Sequence, residues 1–256
     1  MALVTEIFPD FTSALAACGP GYNNALIADV MAYKTALAVD PRQFVPEQAL
    51  NSILAVGIAA ADITERPLTV LDFGGGCGFH YFRVIAAMQS QLRWAIVETP
   101  TMAERALKLA QGRFDVFTEI AAAATALNPI HLVHASSSIQ YVPEPLSTLK
   151  ALATLQARYF MLARFPVWSR PQTVGMQTSP LAANGIGPMP PTIADRQISY
   201  PITFCNFDDV MGILDTYEVA MVMPSPSSTY NVRGQQVQGF NLIFRSKEVA
   251  SRSEAQ

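Results

Sequence analysis

The chain has 256 residues, of which 50% are hydrophobic and 14% are charged, and its formal net charge is −3 at pH 7. This composition supplies a sizeable core but no basic surface, so nucleic acid is not an expected partner. The sequence begins without the basic segment of a signal peptide, and its apolar stretches are too short for a membrane span, which predicts a cytoplasmic protein without a membrane partner.

The first part of the chain has the pattern of helices. Apolar residues recur at helical spacing from Leu26 to Leu37 and again from Leu50 to Ile58. Asn23 or Asn24 is a suitable N-cap for the first run, and Pro46 suits the start of the second. Residues 1–62 are therefore predicted to form an N-terminal helical cap.

From residue 63 onward, short apolar runs alternate with helical segments. The runs are "LTVLDF", "RWAIVE", "RFDVFT", "IHLVHA" and "RYFMLARF". Near-continuous apolar strands between helices predict a parallel sheet covered on both faces. Two late strands, "YEVAMVMP" and "GFNLIFRS", predict an antiparallel hairpin. The predicted fold is α/β, a Rossmann-like and mostly parallel sheet over residues 63–247, followed by a tail at 248–256.

Residues 166–205 interrupt this alternation. They contain seven of the 18 prolines and only three charged residues. A disordered linker would be more polar, so the segment is predicted to be an ordered but irregular lid that packs over a ligand site.

The three cysteines, Cys18, Cys77 and Cys205, lie far apart and follow no metal-ligand spacing. This arrangement predicts free thiols and no metal site. Cys77 lies inside a glycine cluster, but no histidine-plus-acid pattern accompanies it, so we interpret it as a small buried residue rather than a nucleophile.

The glycine cluster consists of Gly74, Gly75, Gly76 and Gly78, between the first predicted strand of the sheet and a helix. Such a junction presents free backbone N–H groups and the positive end of a helix dipole to a ligand. A dinucleotide-binding loop requires a third glycine where Phe79 stands. The observed spacing, preceded by Asp72, resembles motif I of the class I S-adenosylmethionine (SAM) methyltransferases.

This resemblance implies where SAM would bind. The glycines would lie against its amino-acid end, and Asp72 would help to hold its ammonium group. Glu98, at the end of the second strand, would accept hydrogen bonds from the ribose hydroxyls; the alternative is an exposed acid that caps a helix. Further cofactor contacts are implied for Tyr22, Thr99, Thr118, Glu119, Ala135, Ser136 and Ser137.

Other stretches narrow the resemblance. "CGPGYNN", "LRWAIVETPTMAE", "SSSIQYVPEPLSTLKAL", "ARFPVW" and "ISYPITFCNFDDVMGIL" are similar to a group of bacterial methyltransferases found with surface-polysaccharide or specialised-metabolite biosynthesis genes. The similarity extends over residues 15–246. His80 departs from the group, which has a small polar residue there, so the family supplies no role for it.

Candidate catalytic and acceptor-binding residues surround the same loop. His80, in the first turn after the glycines, is a candidate general base or acceptor contact, with helix packing as the alternative. Tyr141 is a second catalytic candidate, and His131 and His134 are interpreted as structural. Arg164 closes the fifth strand, where it could bind a carboxylate or phosphate or form a salt bridge. The remaining substrate-binding candidates are Tyr81 and Gln140.

The sequence thus predicts SAM-dependent O- or N-methylation of a small organic acceptor, whose identity it does not specify. Three alternatives stay open: a SAM-binding enzyme with a non-methylating reaction such as a cyclisation, a nicotinamide-dependent oxidoreductase, and a non-catalytic binding module. A homodimer is also left open.

Overall fold

The computed structural model describes residues 2–40, 42, 45–88 and 91–247, so the predicted tail at 248–256 lies outside the described residues. Within them the strands are β1 (Ala2–Phe8), β2 (Leu68–Phe73), β3 (Leu92–Val97), β4 (Asp115–Phe117), β5 (Leu132–Ser136), β6 (Tyr159–Pro166), β7 (Thr173–Pro180), β8 (Gln197–Phe204), β9 (Tyr217–Val232) and β10 (Gln235–Ser246). The α-helices are α1 (Phe11–Cys18), α2 (Ala25–Ala38), α3 (Glu47–Asp62), α4 (Phe79–Ala87), α5 (Pro100–Ala110), α6 (Ile120–Leu127), α7 (Pro145–Ala153) and α8 (Phe207–Ile213). Among the helices that the structure describes, none combines the length and the apolar character needed to cross a bilayer.

All the described strands form one mixed sheet in the order β4-β3-β2-β5-β6-β10-β9-β1-β7-β8. The first five strands in this order are mutually parallel, and β10 pairs antiparallel with both β6 and β9. This confirms the predicted α/β fold, with its mostly parallel sheet and late hairpin. The carboxyl ends of β2, β3, β5 and β6 meet at one edge, where ligands of such sheets bind.

Helices cover both faces of the parallel strands. In β2, Val70 packs into the core beneath α3 and α4, whereas its neighbour Leu71 packs into the core beneath α6, α7 and α8. Trp94 and Met161 continue the first core, and Phe160 continues the second. Alternate side chains therefore serve opposite faces, which is why the strands are apolar throughout their length.

The sequence predicted a helical cap over residues 1–62, but the structure shows that this region also contains a strand. Ala2–Phe8 is a strand that lies between β9 and β7, parallel to the first and antiparallel to the second. Helices α1, α2 and α3 follow it as the helical part of the region. The pairing partners of β1 lie in distant parts of the chain, and local periodicity does not reveal them.

The irregular lid predicted at 166–205 is also wrong in its secondary structure. It contains β7 and β8, which pair along their whole length and extend the sheet. Three of its prolines fit this pairing: Pro166 and Pro180 end strands, and Pro201 lies in β8, which among the described residues has no second neighbouring strand that would need the missing N–H. The irregular parts are residues 167–172, between β6 and β7, and the connection between β7 and β8, which includes a short 3-10 helix at Leu181–Ala183.

The late hairpin is longer than predicted. The segment "SPSSTYNVRGQQVQ", expected to be mostly turn, belongs largely to β9 and β10. The turn itself is confined to Arg233 and Gly234, with φ angles of 49° and 85°. Positive φ at both central residues matches the twist of two antiparallel strands, so a tight turn suffices to reverse the chain.

Not all the apolar residues that recur at helical spacing in α2 and α3 are buried. Leu37 and Leu50 are 40% and 53% exposed, whereas Lys34 and Ser52 are buried. Small residues such as Ala55, which is fully buried, face the sheet and α4. Which side chains are buried at these positions therefore depends more on the close approach of the helices and on buried polar partners than on side-chain hydrophobicity.

We expect Val4→Asp to lower the free energy of unfolding by about 3 kcal/mol or more, because it places an unpaired carboxylate in a buried position. Val4 is 1% exposed and belongs to the core formed with Ile202, Phe204 and Tyr230. The matched control is Leu3→Asp, since Leu3 is 50% exposed, and its effect should stay below about 1 kcal/mol. Equal effects in guanidinium unfolding would contradict the placement of β1 inside the sheet.

Candidate functional site

A cavity of about 510 Å³ lies at the carboxyl ends of β2, β3, β5 and β6. The glycine loop between β2 and α4 lines one part of it, and residues 183–186, between β7 and β8, line another. The predicted site residues in its lining are Tyr22, Gly74, Gly75, Gly76, His80, Glu98, Thr99, Thr118, Glu119, Ser136, Ser137, Tyr141 and Arg164. The fold thus brings together residues from widely separated parts of the sequence.

The glycine loop needs its glycines for the backbone itself. Gly74, Gly76 and Gly78 have φ angles of 68°, 59° and 92°, in the left-handed region. A Cβ atom on Gly74 would lie 2.3 Å from Cβ of Ser138, and one on Gly75 would lie 2.4 Å from Oδ2 of Asp72. The loop therefore turns sharply and leaves no room for side chains next to Ser138 and Asp72, while its backbone faces the cavity.

Glu98 joins the glycine loop to the start of α5. Its Oε1 accepts a hydrogen bond from the Gly76 N–H at 2.9 Å, and its Oε2 accepts one from the Thr99 N–H at 2.8 Å. Desolvation raises the pKa of Glu98 to about 7, although both N–H bonds act to lower it. Glu98 is therefore not the exposed helix cap that was the alternative interpretation.

Thr99 lies beside this carboxylate with an unused hydroxyl. It occupies the N-cap position of α5, but its side chain makes no capping hydrogen bond. Within the described residues its buried Oγ1 has no hydrogen-bond partner. A buried hydroxyl without a partner is unfavourable, so a ligand that bonds to it would remove this penalty.

Asp72 does not line the cavity. Its side chain is fully buried below the glycine loop, where Oδ1 lies 2.7 Å from Nδ1 of His134 and Oδ2 accepts a hydrogen bond from Nε1 of Trp94 at 3.3 Å. Both oxygens are therefore committed to groups in the core. The structure corrects the expectation that this carboxylate reaches a bound ammonium group directly.

His80 lines the cavity and is connected to the core. Its Nδ1 lies 2.8 Å from Oγ of Ser52, and the same oxygen lies 2.9 Å from Nε2 of His134. Burial, together with the nearby His134 and Arg164, lowers the pKa of His80 well below its usual value. The imidazole is therefore neutral near pH 7, the form that a general base requires.

The ends of β5 and β6 carry two strained residues. Ser137 and Arg164 both have a φ angle of 54°, which is rare for residues other than glycine and recurs at functional sites. The Asn241 side chain accepts a hydrogen bond from the Arg164 N–H at 3.0 Å. The guanidinium donates to Oγ and the backbone oxygen of Ser136, both at 3.3 Å, and makes no salt bridge within the described residues. The structure thus disfavours the salt-bridge alternative.

Tyr22 and Tyr141 form an aromatic wall with Tyr200 of β8. The centroid of the Tyr22 ring lies 4.8 Å from that of the Tyr141 ring and 4.6 Å from that of the Tyr200 ring. The Tyr141 hydroxyl donates a hydrogen bond to Oε1 of Gln177 in β7 at 3.0 Å. Burial raises the pKa of Tyr22 and Tyr141 well above the usual value, so both phenols stay protonated at neutral pH and are unsuited to act as bases.

Four other predicted residues lie outside the lining of the cavity. The Tyr81 ring packs in the core against Phe82, Trp94 and Phe114 and therefore does not line the cavity. Gln140 is buried and donates a hydrogen bond to Oγ of Ser137 at 3.1 Å, so it supports the lining from behind. The other two, both buried or covered by core side chains, are Ala135 and Gly78.

Cys77 is buried, as predicted, and its Sγ contacts Sδ of Met102 at 3.5 Å. Desolvation raises the pKa of its thiol to about 12, which leaves it without nucleophilic character. In the described part of the chain, no group of three or more histidine, cysteine or acidic side chains is placed to hold a metal ion.

Lys34 was missed by sequence reasoning. It lies in α2 with 1% of its surface exposed, and its Nζ donates hydrogen bonds to the backbone oxygens of Ala182 at 2.6 Å and Gly185 at 3.3 Å. It thereby fastens the connection between β7 and β8 to α2, where residues 183–186 line the cavity. A single lysine in an apolar helical run gives no signal of this role.

Solved methyltransferases share this fold. A SAM-dependent methyltransferase from Clostridium acetobutylicum aligns with a TM-score of 0.50 and 8% identity, over 84% of this chain and 96% of that chain. The N-terminal domain of EvdMO1, crystallised in the presence of S-adenosylhomocysteine (SAH) and D-fucose, aligns with a TM-score of 0.50 and 11% identity, over 83% and 95%. No family model and no curated protein matches the sequence. At these identities the similarity shows the class I methyltransferase fold alone.

We expect Lys34→Met to increase amide hydrogen exchange at residues 182–186 and to lower the free energy of unfolding by about 1–3 kcal/mol, because two backbone oxygens lose their donor. The control is Lys108→Met, since the Lys108 side chain is 69% exposed and pairs with Glu104 at the surface. Unchanged exchange at residues 182–186 in Lys34→Met would show that this tether does not hold the segment.

Proposed function

We propose that this protein is a SAM-dependent methyltransferase that transfers a methyl group to oxygen or nitrogen of a small organic acceptor. The observation that carries the proposal is the Glu98 carboxylate, which lies at the end of β3 and bonds to the glycine loop at the end of β2. A ligand bound between them would have the Glu98 carboxylate on one side and the exposed backbone of the glycine loop on the other. This combination suits the ribose and the amino-acid end of SAM.

The cavity residues fit this cofactor. The backbone of Gly74, Gly75 and Gly76 can meet its amino-acid end, and a Cβ atom on Gly76 would come within 2.7 Å of Cε of Met31. Glu98 and the unpartnered hydroxyl of Thr99 would hold the ribose hydroxyls. Further contacts would come from Thr118, Glu119, Ser136 and Ser137.

SAM supplies, when bound, a methyl group that its sulfonium already activates. The protein then has to place the acceptor atom in line and to exclude water, which can supply much of the rate acceleration. His80, neutral and in the cavity lining, would accept the proton of an acceptor hydroxyl or amine. The protonated phenols of Tyr22 and Tyr141 would enclose the acceptor.

Arg164 supports a narrower proposal about the acceptor. Its guanidinium lines the cavity and makes no salt bridge within the described part of the chain. The segment between β7 and β8 lines the same space with Ala183, Asn184, Gly185 and Ile186. We therefore propose an acceptor that carries a carboxylate or another anionic group on a partly apolar body.

One alternative from the sequence is less well supported than methyl transfer, and another is distinguished from it only by experiment. A nicotinamide-dependent oxidoreductase would need a third glycine at the start of α4, where Phe79 stands. A SAM-dependent reaction without methyl transfer would use the same pocket, so only its products distinguish it. The cytoplasmic location and the homodimer stay predictions.

The direct test is to incubate the purified protein with SAM and fractions of a small-molecule extract. We expect SAH to form together with a product that is one methyl group heavier than its precursor, as measured by mass spectrometry. Formation of a SAM-dependent product without SAH would support the non-methylating alternative. Product formation that requires NAD instead of SAM would contradict the proposal.

We expect Arg164→Met to lower kcat/KM for the acceptor at least tenfold, on the order of the 1.5–3 kcal/mol that a hydrogen bond to a charged group contributes. The Kd for SAM should change little, because Arg164 bonds to Ser136 but is not itself among the proposed cofactor contacts. Arg233→Met is the control, since Arg233 is exposed in the turn between β9 and β10. A variant that binds SAM poorly but uses the acceptor normally would place Arg164 in the cofactor site.

A further inference from the structure

Four buried polar side chains form a continuous chain from the centre of the sheet to the cavity. They come from four different elements: Asp72 from β2, His134 from β5, Ser52 from α3 and His80 from α4. Asp72, His134 and Ser52 are fully buried, and His80 is 7% exposed. The successive contacts between their polar atoms measure 2.7, 2.9 and 2.8 Å. Polar groups buried this deeply require hydrogen-bond partners, and these four side chains supply them to one another, with Trp94 and the Gln48 backbone oxygen as further partners.

The direction of these hydrogen bonds follows from the inventory of donors and acceptors. The Asp72 carboxylate only accepts, so Nδ1 of His134 carries a hydrogen. Nε2 of a neutral His134 then accepts the hydroxyl hydrogen of Ser52, and the Ser52 oxygen accepts the hydrogen on Nδ1 of His80. The Ser52 hydroxyl also lies 3.2 Å from the backbone oxygen of Gln48, but that contact is the longest of the three that it makes.

This direction leaves Nε2 of His80 without a hydrogen. Within the described residues this nitrogen has no hydrogen-bond partner, and its ring lines the cavity. The four hydrogen-bonded side chains therefore select the tautomer of His80 in which Nε2 is available to a molecule in the cavity. The second oxygen of Asp72 is held by Nε1 of Trp94, which prevents the carboxylate from turning away from His134.

We propose that Asp72, His134, Ser52 and His80 form a proton relay that removes the proton from the methyl acceptor, an inference that rests on the proposed function. In this step the acceptor's O–H or N–H bond breaks, its electron pair stays on the acceptor atom, and the proton binds Nε2 of His80. Nδ1 of His80 passes its hydrogen to Ser52, and Ser52 passes its hydroxyl hydrogen to Nε2 of His134. His80 and Ser52 end neutral, His134 becomes an imidazolium, and the net charge does not change.

The relay solves an electrostatic problem in the cavity. A positive charge retained on His80 would be desolvated and would lie near Arg164, and both effects lower the pKa of His80. The relay moves this charge to His134, directly beside the Asp72 carboxylate. The other charged groups of the cavity lining, Glu98 and Glu119, follow β3 and β4 and lie outside the relay. His80 is thus the catalytic residue, and the other three are positioning residues.

Histidine side-chain ¹⁵N NMR on the full chain tests the direction of the relay without any acceptor, because the protein has only three histidines. We expect neutral His80 and His134 to carry their hydrogen on Nδ1. His131 is an internal control for the opposite tautomer, since its Nδ1 accepts a hydrogen bond from the Thr69 N–H at 3.0 Å. A hydrogen on Nε2 of neutral His80 would overturn the relay.

Two variants test its function with the acceptor found in the product assay. Ser52→Ala interrupts the row of hydrogen-bonded side chains. Asp72→Asn keeps the shape of the Asp72 side chain, but the amide cannot accept hydrogen bonds from both Trp94 and His134. Each should lower kcat about tenfold or more while the Kd for SAH changes less than about twofold. Ser225→Ala, which also removes a fully buried hydroxyl, should leave kcat unchanged.

The outcomes separate the relay from the proposed function. Undiminished kcat in both Ser52→Ala and Asp72→Asn would overturn the relay and leave the methyltransferase proposal standing. Absence of methyl transfer in the wild-type protein, with the expected tautomers present, would overturn the proposed function and with it the role of the relay. If Ser52→Ala fails to fold, the wild-type NMR result and Asp72→Asn still decide the question.

Discussion

The carboxylate of Glu98 holds together the two loops on which the cavity depends. Strands β2 and β3 are parallel neighbours, and Phe73 pairs with Val97, so both strands leave the sheet at adjacent points. Glu98 accepts one N–H from the glycine loop and one from the start of α5, and thereby fixes the distance between them. Desolvation at this position raises the pKa of Glu98 to about 7.

The remaining polar groups of the cavity have separate tasks because the sheet spaces them apart. Glu98 follows β3, Arg164 lies at the end of β6, and His80 lies at the start of α4 between these strands and the helical region. The left-handed backbone at Ser137 and Arg164 places strain at the carboxyl ends of neighbouring strands, and Asn241 of β10 stabilises it. In the proposed function, an acid for the cofactor, a cation for the acceptor and a base for its proton would therefore act in one space.

The sequence was sufficient for features that have a local pattern. Alternating apolar strands and helices predicted the parallel sheet, and the glycine spacing followed by Glu98 selected residues that the structure brings together in the lining of one cavity. Features formed by distant segments had no such signal: β1 pairs with β7 and β9, and Ser52 joins two histidines from other elements. Asp72 was predicted to be a site residue. The direction of its side chain, into the core, was not predicted, because it depends on contacts with His134 and Trp94.

Calorimetric titration with SAH and with NAD at about pH 6 and about pH 8 tests most directly whether the Glu98 pocket is a SAM site. We expect SAH to bind and NAD not to bind, and the affinity for SAH to be higher at pH 8, because ribose hydroxyls donate to the ionised carboxylate and Glu98 ionises with a pKa of about 7. Glu98→Gln, which cannot ionise, should bind more weakly and lose this pH dependence. Binding of NAD in place of SAH, or the same pH dependence in Glu98→Gln, would contradict the account.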